Sequence, residues 1–357
     1  MEDTKNKTGK YIRNFILFIL VIILTFYIVL KDQSITDILN VFVNIDHKYI
    51  IIAIASMCLY FLCESINIGR ILKTLGEKSH FFRNVKYSLI GFFFSAVTPA
   101  ASGGQPMQVY YMHKDKISVG NATLTLLINL ISVQVVTISI AIVSLIFNYQ
   151  YLTDVMKWLF AIGILLNGSA LTLLLVGVFS RRATKWIINF VIKVLKFFKV
   201  KNIEKKQEKL TKELRKYQVG ARYIKLNKIV MIKTIITTYA QFLLFYSISY
   251  WVYKALGLSG YNIMQILSIQ SVLYGSTSAI PSPGAVGVSE GGFIEIYKVI
   301  YSGEMLKGAM LLNRGVNFYL FVIISSIIVM IYTIRDKKEG KLKISENKEI
   351  TSKTEEE

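Results

Sequence analysis

Cysteine, histidine and proline are scarce in this chain of 357 residues, which contains two cysteines, three histidines and four prolines. Cys58 and Cys63 are five residues apart, off any common helical face, and no histidine is near them. His47, His80 and His113 are too far apart in sequence to form a ligand-spaced cluster. Neither a disulfide framework nor a metal site is therefore expected, and no cofactor is predicted.

Signatures of several enzyme classes are also missing. The sequence has no Gly-rich phosphate loop ending in Gly-Lys-Ser/Thr and no His-Glu-x-x-His. The stretch 287–291 matches Gly-x-Ser-x-Gly by letter, but that elbow needs a strand-to-helix turn and a histidine partner. We therefore expect a non-enzymatic protein, and any transport would be passive or ion-coupled unless another subunit supplies energy.

Acidic residues are few: 22 Asp and Glu stand against 42 Lys and Arg, for a net charge of +20. The segment 181–228 alone holds 16 Lys and Arg and 3 Glu, and so carries +13 of that charge. A basic loop between two membrane spans is expected on the cytoplasmic side, beside anionic lipid, so we predict no nucleic-acid partner. Within this loop, Trp186–Lys193 is amphipathic. We expect it to form an interfacial helix, although a plain connecting helix fits equally well.

Long apolar runs dominate the rest, since 53% of the residues are hydrophobic and the mean hydropathy is +0.48. A bilayer core requires about 20 apolar residues per helical span, and only helices or closed barrels satisfy the backbone inside lipid. Because these runs are continuous rather than alternating, we predict an all-α polytopic integral membrane protein. About six full spans are expected: Tyr11–Leu30, Tyr49–Ile68, Ala122–Phe147, Met156–Phe179, Ile229–Trp251 and Leu311–Ile334.

Loop charges set the predicted topology. The basic N-terminus and the basic cluster after residue 334 place both termini in the cytoplasm, as expected for a bacterial cell-membrane protein. The first run lacks a small-residue cleavage site, so it is expected to be an uncleaved anchor. We assign residues 1–335 to one transmembrane domain, including the basic loop 180–228. Residues 336–357 are assigned to a disordered polar tail.

The four prolines fall in two Gly-rich segments, Thr98–Pro106 and Ser278–Gly292, which interrupt apolar runs. Loop charges predict that each segment lies in a re-entrant hairpin. One hairpin enters from the cytoplasm and the other, residues 262–304, enters from outside. Inverted repeats with interrupted helices are typical of transporters whose site lies near the membrane midplane.

Each break resembles a helix start, where free backbone amides attract anions. In the second break, Ser289 is expected to cap a helix beginning near Glu290, and Pro106 suits the first helical position in the first break. Two helix starts approaching from opposite leaflets would then cradle one lipid phosphate. The candidate substrate-binding residues of the breaks are Ser102, Gly103, Gly104, Gln105, Gln108, Pro283, Gly284, Gly287, Ser289 and Glu290.

Charged residues inside spans are functional candidates by default. Arg314, in the last span, is placed to pair with Glu290 or to hold a lipid phosphate through bidentate contacts. Glu64 lies in the second span and is a candidate for a polar pathway or for proton coupling. Both side chains have a structural alternative: a buried ion pair for Arg314, and a partner for the first hairpin for Glu64.

Three motifs carry a family resemblance: Ser102-Gly103-Gly104-Gln105-Pro106, the stretch Pro283–Gly292, and Asn313-Arg314. Over about residues 10–335 the chain resembles the membrane region of lysylphosphatidylglycerol synthases, the MprF-type flippase domains with the related YbhN/AglD-like proteins. The resemblance implies movement of a phospholipid between leaflets, aminoacylated phosphatidylglycerol in the best-known members. Full-length synthases carry a soluble aminoacyltransferase domain after the last span, so this chain is not expected to make the lipid itself.

The chain departs from the family pattern at three positions. Ala285 stands where glycine is usual, and Gln105 and Gln108 stand where glutamate and arginine are often found. The substrate therefore need not be the same lipid. Two other functions remain open from the sequence: a membrane-embedded lipid transferase, and a scaffold that recruits a separate synthase through the basic loop. Close helix packing also makes a homodimer plausible.

Overall fold

A computed structural model describes residues 45–98, 101–148, 154–180, 182, 186, 193, 203–278, 280 and 282–333. Within these ranges the chain consists of helices joined by short turns, and no strand occurs there. The helices are α1 His47–Thr74, α2 Phe81–Val97, α3 Gly104–Lys114, α4 Val119–Asn148, α5 Asp154–Phe179, α6 Ile203–Leu226, α7 Lys228–Ala255, α8 Ile263–Thr277, α9 Val288–Tyr297 and α10 Gly303–Arg314. A π-helical turn, Gly315–Tyr319, continues α10 toward Thr333.

Five described helical segments are long and apolar enough to cross a membrane: α1, α4, α5, α7 and Met305–Thr333, which contains most of α10 and the π-helical turn. They coincide with five of the six expected spans, and the all-helical fold class is confirmed for the described residues. The expected first span, Tyr11–Leu30, lies outside the described residues. So do the tail and most of the amphipathic stretch Trp186–Lys193.

The centre of the bundle is the pair α1 and α7, which makes the most extensive helix–helix contact among the described elements. Asn67 donates to Thr238 Oγ1 over 2.9 Å, and Arg70 donates to Thr237 Oγ1 over 3.0 Å. Helices in lipid associate through close packing and interhelical hydrogen bonds rather than through a hydrophobic driving force. These contacts fix the register of the two helices.

Two sets of helices, α1–α4 and α7–α10, contain long and short helices in the same order. Helices α1 and α7 each have 28 residues, α2 and α8 have 17 and 15, and α3 and α9 have 11 and 10. Each set ends in a membrane-spanning segment, which is α4 in the first set and Met305–Thr333, the continuation of α10, in the second. The short helices flank the two breaks, so each set contains one interruption at the same place.

Helix α6 occupies residues 203–226 of the basic segment, where the sequence predicted a loop with an interfacial helix only at Trp186–Lys193. It packs against α4 with Tyr217, Ala221 and Ile224 buried, while Lys212 and Arg215 are exposed on its other side. The backbone amide of Gly120 also donates to Glu213 on α6 over 2.8 Å. Residues 203–226 are rich in Lys, Glu and Leu, which favour helix, and apolar residues recur on one face.

Candidate functional site

The first break separates α2 from α3. Helix α2 is capped by Thr98, whose Oγ1 accepts from the backbone amide of Gly103 over 2.9 Å. The backbone of Ala101 is left-handed, with φ of 52°. Helix α3 begins at Gly104, so Pro106 is its third residue and not its first, as the sequence had suggested. Proline is tolerated there because amides in the first turn have no intrahelical partner.

Glycines bring α3 directly against α2. A Cβ on Gly104 would lie 2.0 Å from Ser95 Oγ and 2.8 Å from the carbonyl oxygen of Gly91. A Cβ on Gly91 would lie 2.4 Å from the side chain of Gln108. Gln108 therefore occupies the space that Gly91 leaves, and its Nε2 donates to the carbonyl of Tyr87 over 3.1 Å.

The second break has three residues with positive φ within four positions, Gly284 (φ 58°), Ala285 (φ 55°) and Gly287 (φ 84°). Helix α9 begins at Val288, two residues earlier than expected. The Glu290 carboxylate accepts from the amide of Gly287 over 2.7 Å, so the first turn is capped by Glu290. The expected capping role of Ser289 is wrong, because a residue inside the first turn cannot occupy the cap position.

The ion pair considered from the sequence is present. Arg314 Nε donates to Glu290 Oε1 over 2.7 Å, and the two residues are 8% and 1% exposed. Arg314 also donates to the carbonyl of Gly284 over 3.2 Å and lies 4.2 Å from the centre of the Phe318 ring. The hydroxyl of Tyr319 donates to Glu290 over 2.9 Å. This cluster fixes the second break against α10.

A π-helical turn, Gly315–Tyr319, follows Arg314 directly. Such single turns occur often at functional sites. Here the turn carries Phe318 and Tyr319, the two aromatic residues in contact with the Arg314 guanidinium. The sequence pattern shows no sign of it, because π-turns have no local residue signature comparable to a proline.

The second break contacts α2, the helix that leads into the first break, although about 180 residues separate them in the sequence. The 3-10 turn Pro283–Ala285 packs on α2. A Cβ on Gly284 would lie 3.3 Å from the carbonyl of Ala96 and 2.3 Å from Phe318. Glycine at 284 therefore satisfies both the left-handed backbone and the close approach to its neighbours.

Two cavities adjoin the breaks. The first cavity, about 270 Å³, is bordered by the first break, and the second cavity, about 210 Å³, by the second break. Tyr60, Phe92 and Tyr274 line both cavities, and we call these three side chains the aromatic partition. It consists of residues from α1, α2 and α8, which only the folded bundle brings together.

The expected site residues divide between the cavities. Glu64, Gln105 and Gln108 line the first cavity, whereas Gly284, Ser289 and Arg314 line the second. Glu290 is engaged with Arg314, and the remaining candidates, Ser102, Gly103, Gly104, Pro283 and Gly287, shape the turns and helix starts. Gln105 and Gln108 thus line a different cavity from Ser289, so the two breaks do not converge on one ligand-sized space as the single-phosphate hypothesis required.

A buried polar chain leads into the second cavity, and the sequence did not indicate that its members are connected. Tyr297 and Ser249 both donate to Gln270 Oε1, over 2.7 and 2.8 Å. Asn313 donates to Ser249 over 3.0 Å, and Asn317 donates to Asn313 over 3.2 Å. The available signal was the presence of amide side chains in apolar runs. Among the described residues, no cluster of three or more His, Cys, Asp or Glu could hold a metal ion.

Comparison with known proteins agrees with this architecture. Residues 15–325 match the family described as the lysylphosphatidylglycerol synthase TM region. No curated protein matches the chain. The family match covers most of the chain, including both breaks, four of the described spans in full and most of the fifth, Met305–Thr333. The protein therefore belongs to the lysylphosphatidylglycerol synthase TM region family.

Proposed function

We propose that the protein is a phospholipid flippase, a lipid transporter that moves an aminoacylated phospholipid such as lysyl-phosphatidylglycerol between the leaflets of a bacterial cytoplasmic membrane. The observation that carries the proposal is the pair of cavities, one at each helix break, divided by the aromatic partition. Membership of the family supports a role in membrane lipid biology.

Alternating access would follow from two inverted repeats, α1–α4 and α7–α10. The matching helix lengths support the repeat, and the loop charges support opposite orientations with both termini in the cytoplasm. In such transporters, broken helices from the two repeats meet near the midplane. The contact between Gly284 and α2 fits this arrangement.

The cavity sizes favour a head group over a whole lipid. Sites for small molecules usually measure about 300–1,000 Å³, and each cavity lies just below that range. A head group would enter a cavity while the acyl chains stay in lipid. The aromatic partition would keep the two cavities from forming a continuous pore.

The charge arrangement supports transport more than catalysis. A lipid transferase would need an acid and a base that converge on one substrate. Glu64 lines the first cavity, whereas Glu290 is held by Arg314 and Tyr319 beside the second. We therefore propose that the protein is not an enzyme and that any aminoacylated substrate is made by a separate synthase.

The basic face of α6 is proposed to lie against anionic lipid of the inner leaflet. Lys212, Arg215 and Lys216 line an open groove of about 780 Å³ beside Gly76 and Tyr223. Each basic residue near such a surface contributes about 1 kcal/mol to membrane attraction. A homodimer is a further proposal, compatible with the lipid-exposed surfaces of α5.

Transport is tested with purified protein in liposomes that carry labelled lysyl-phosphatidylglycerol in one leaflet. Exchange of label without new product is the expected result. Product formation with an aminoacyl-tRNA donor would instead identify a synthase. The absence of both exchange and product would favour a scaffold. Gly104→Leu should abolish exchange because α3 cannot remain against α2. Gly168→Leu is the matched control, since a Cβ there meets no atom within 4 Å.

A further inference from the structure

The first cavity contains a carboxylate without a cationic partner. Glu64 lines it, and the residues around it include no Lys, Arg or His within the described part of the chain. The next basic residue along α1 is Arg70, about 9 Å farther along the helix axis. Its guanidinium is already engaged by Asn67 Oδ1 at 2.7 Å and Thr237 Oγ1 at 3.0 Å. The polar side chains described next to Glu64, the Gln108 amide and the Tyr60 hydroxyl, are both neutral.

Two further acceptor oxygens in the same cavity have no donor. Asn129 Oδ1 and Gln241 Oε1 lack a hydrogen-bond partner within the described structure, and their residues are 6% and 1% exposed. Buried polar atoms without partners are costly, and native structures usually satisfy them. The cavity therefore presents a carboxylate and two buried amide oxygens that can each accept a hydrogen bond from a ligand.

Aromatic rings complete the wall. Tyr60, Phe242 and Tyr274 line the cavity, with ring centres 5.9 Å apart for Tyr60–Phe242 and 5.5 Å apart for Phe242–Tyr274. Aromatic faces attract cations by roughly 0.5–2 kcal/mol, more strongly where water is excluded. A carboxylate, unpartnered amide oxygens and aromatic rings together suit a compact cation that carries several N–H donors.

We propose that the first cavity binds the primary ammonium group of the transported head group and that Glu64 is the specificity-determining residue. An ammonium has three donors, matching Glu64, Asn129 and Gln241. A phosphate in the same space would face the Glu64 charge and two acceptors, so the first break does not serve as the phosphate cradle expected from the sequence. The inference deepens the proposed function, because it identifies which part of the lipid this cavity recognises.

Binding is measured first, independently of transport, by thermal unfolding of the full chain in detergent. The probes are lysyl-phosphatidylglycerol and the same lipid with both amino groups acetylated. Wild type should bind the free-amine lipid about tenfold or more tightly than the acetylated one, since charge-assisted hydrogen bonds are lost on acetylation. Glu64→Gln should remove this preference and Glu64→Asp should retain part of it. Glu295→Gln, at a half-exposed carboxylate paired with Lys298, should leave it intact.

The outcomes separate this inference from the proposed function. Equal binding of the two lipids by wild type, or an unchanged preference in Glu64→Gln, overturns the ammonium site whatever the transport result. A preference that depends on Glu64, found in a protein that exchanges neither lipid, supports the site and rejects the flippase.

Two added probes identify the source of the cation. Stabilisation by Na⁺ alone, with no further effect of the lipid, overturns the proposal in favour of an inorganic ion. Lysine methyl ester carries the same ammonium groups without a phosphate or acyl chains. Tighter binding of the lipid than of this ester supports a lipid head group as the ligand, and equal binding of the two overturns that assignment.

Discussion

At the second break, the buried cation Arg314 and the buried carboxylate Glu290 neutralise each other at 2.7 Å. At the first break, Glu64 has no cationic partner among the described residues, although the helices around it have nearly the same lengths. A charge that is paired and hydrogen-bonded contributes to a fixed structure, whereas an unpaired one costs stability. The comparison indicates that the second break is fixed by its own side chains and the first is left to be completed by a ligand.

The largest expected effect comes from breaking the paired charge. Arg314→Met leaves Glu290 buried without its partner and should lower the free energy of unfolding by about 3–5 kcal/mol. Glu64→Gln removes a charge that has no partner, so its free energy of unfolding should not fall. Both values are measured by denaturant titration in mixed micelles.

A double variant controls for lost packing. Glu290→Gln combined with Arg314→Met should recover part of the loss, because no uncompensated charge remains. If the double variant is as unstable as Arg314→Met alone, the cost is one of packing against Phe318, not of charge. A loss in Glu64→Gln comparable to that in Arg314→Met would contradict the comparison itself.

The sequence predicted those features that depend on local pattern. Continuous apolar runs located five spans, and clustered proline and glycine located both breaks. The pairing of Arg314 with Glu290 was also anticipated, because intramembrane charges have few ways to be satisfied. Each of these features is encoded by residue types within a short stretch or by a strong constraint from lipid.

Features that depend on packing between distant helices were not predictable. The aromatic partition combines Tyr60, Phe92 and Tyr274, each of which resembles an ordinary apolar span residue in its own stretch. The capping role predicted for Ser289 is wrong, because the start of α9 is set by the left-handed turn before it. The residue pattern alone does not show where that turn ends. The apolar residues that recur on one face of α6 are typical of an amphipathic helix, but they do not indicate that this face is buried on α4 rather than at a membrane surface.

The next effect in size concerns one glycine in the short helix after each break. Gly104 lies against Ser95 and the Gly91 carbonyl, so Gly104→Ala should destabilise the protein by about 1–3 kcal/mol through overpacking. A Cβ on Gly291 in α9 meets no atom within 4 Å, so Gly291→Ala should stabilise by up to about 1 kcal/mol through helix propensity. Equal losses at both positions, measured by the same titration, would show that the space around Gly104 is not the cause.

The smallest effect concerns the two alanines that adopt left-handed backbone, Ala101 with φ of 52° and Ala285 with φ of 55°. Because a side chain is strained in left-handed backbone, Ala285→Gly should relieve a strain of about 1–2 kcal/mol. Part of this gain is offset, because glycine is freer in the unfolded chain by about 0.4–1 kcal/mol. A net gain of roughly 0–1.6 kcal/mol, about 0.8 kcal/mol at the centre, is therefore expected at each break.

Gly284→Ala provides the opposite control, since it combines φ of 58° with a Cβ only 2.3 Å from Phe318. It should lose stability where Ala285→Gly gains it, and the two effects are compared in the same denaturant titration. If Ala285→Gly stabilises the protein but also slows lipid exchange, strain at the second break is being used in the transport cycle. In that case the second break also moves during transport. The two breaks then differ only in charge, because the carboxylate at the second cavity is paired with a cation and, among the described residues, the carboxylate in the first cavity is not.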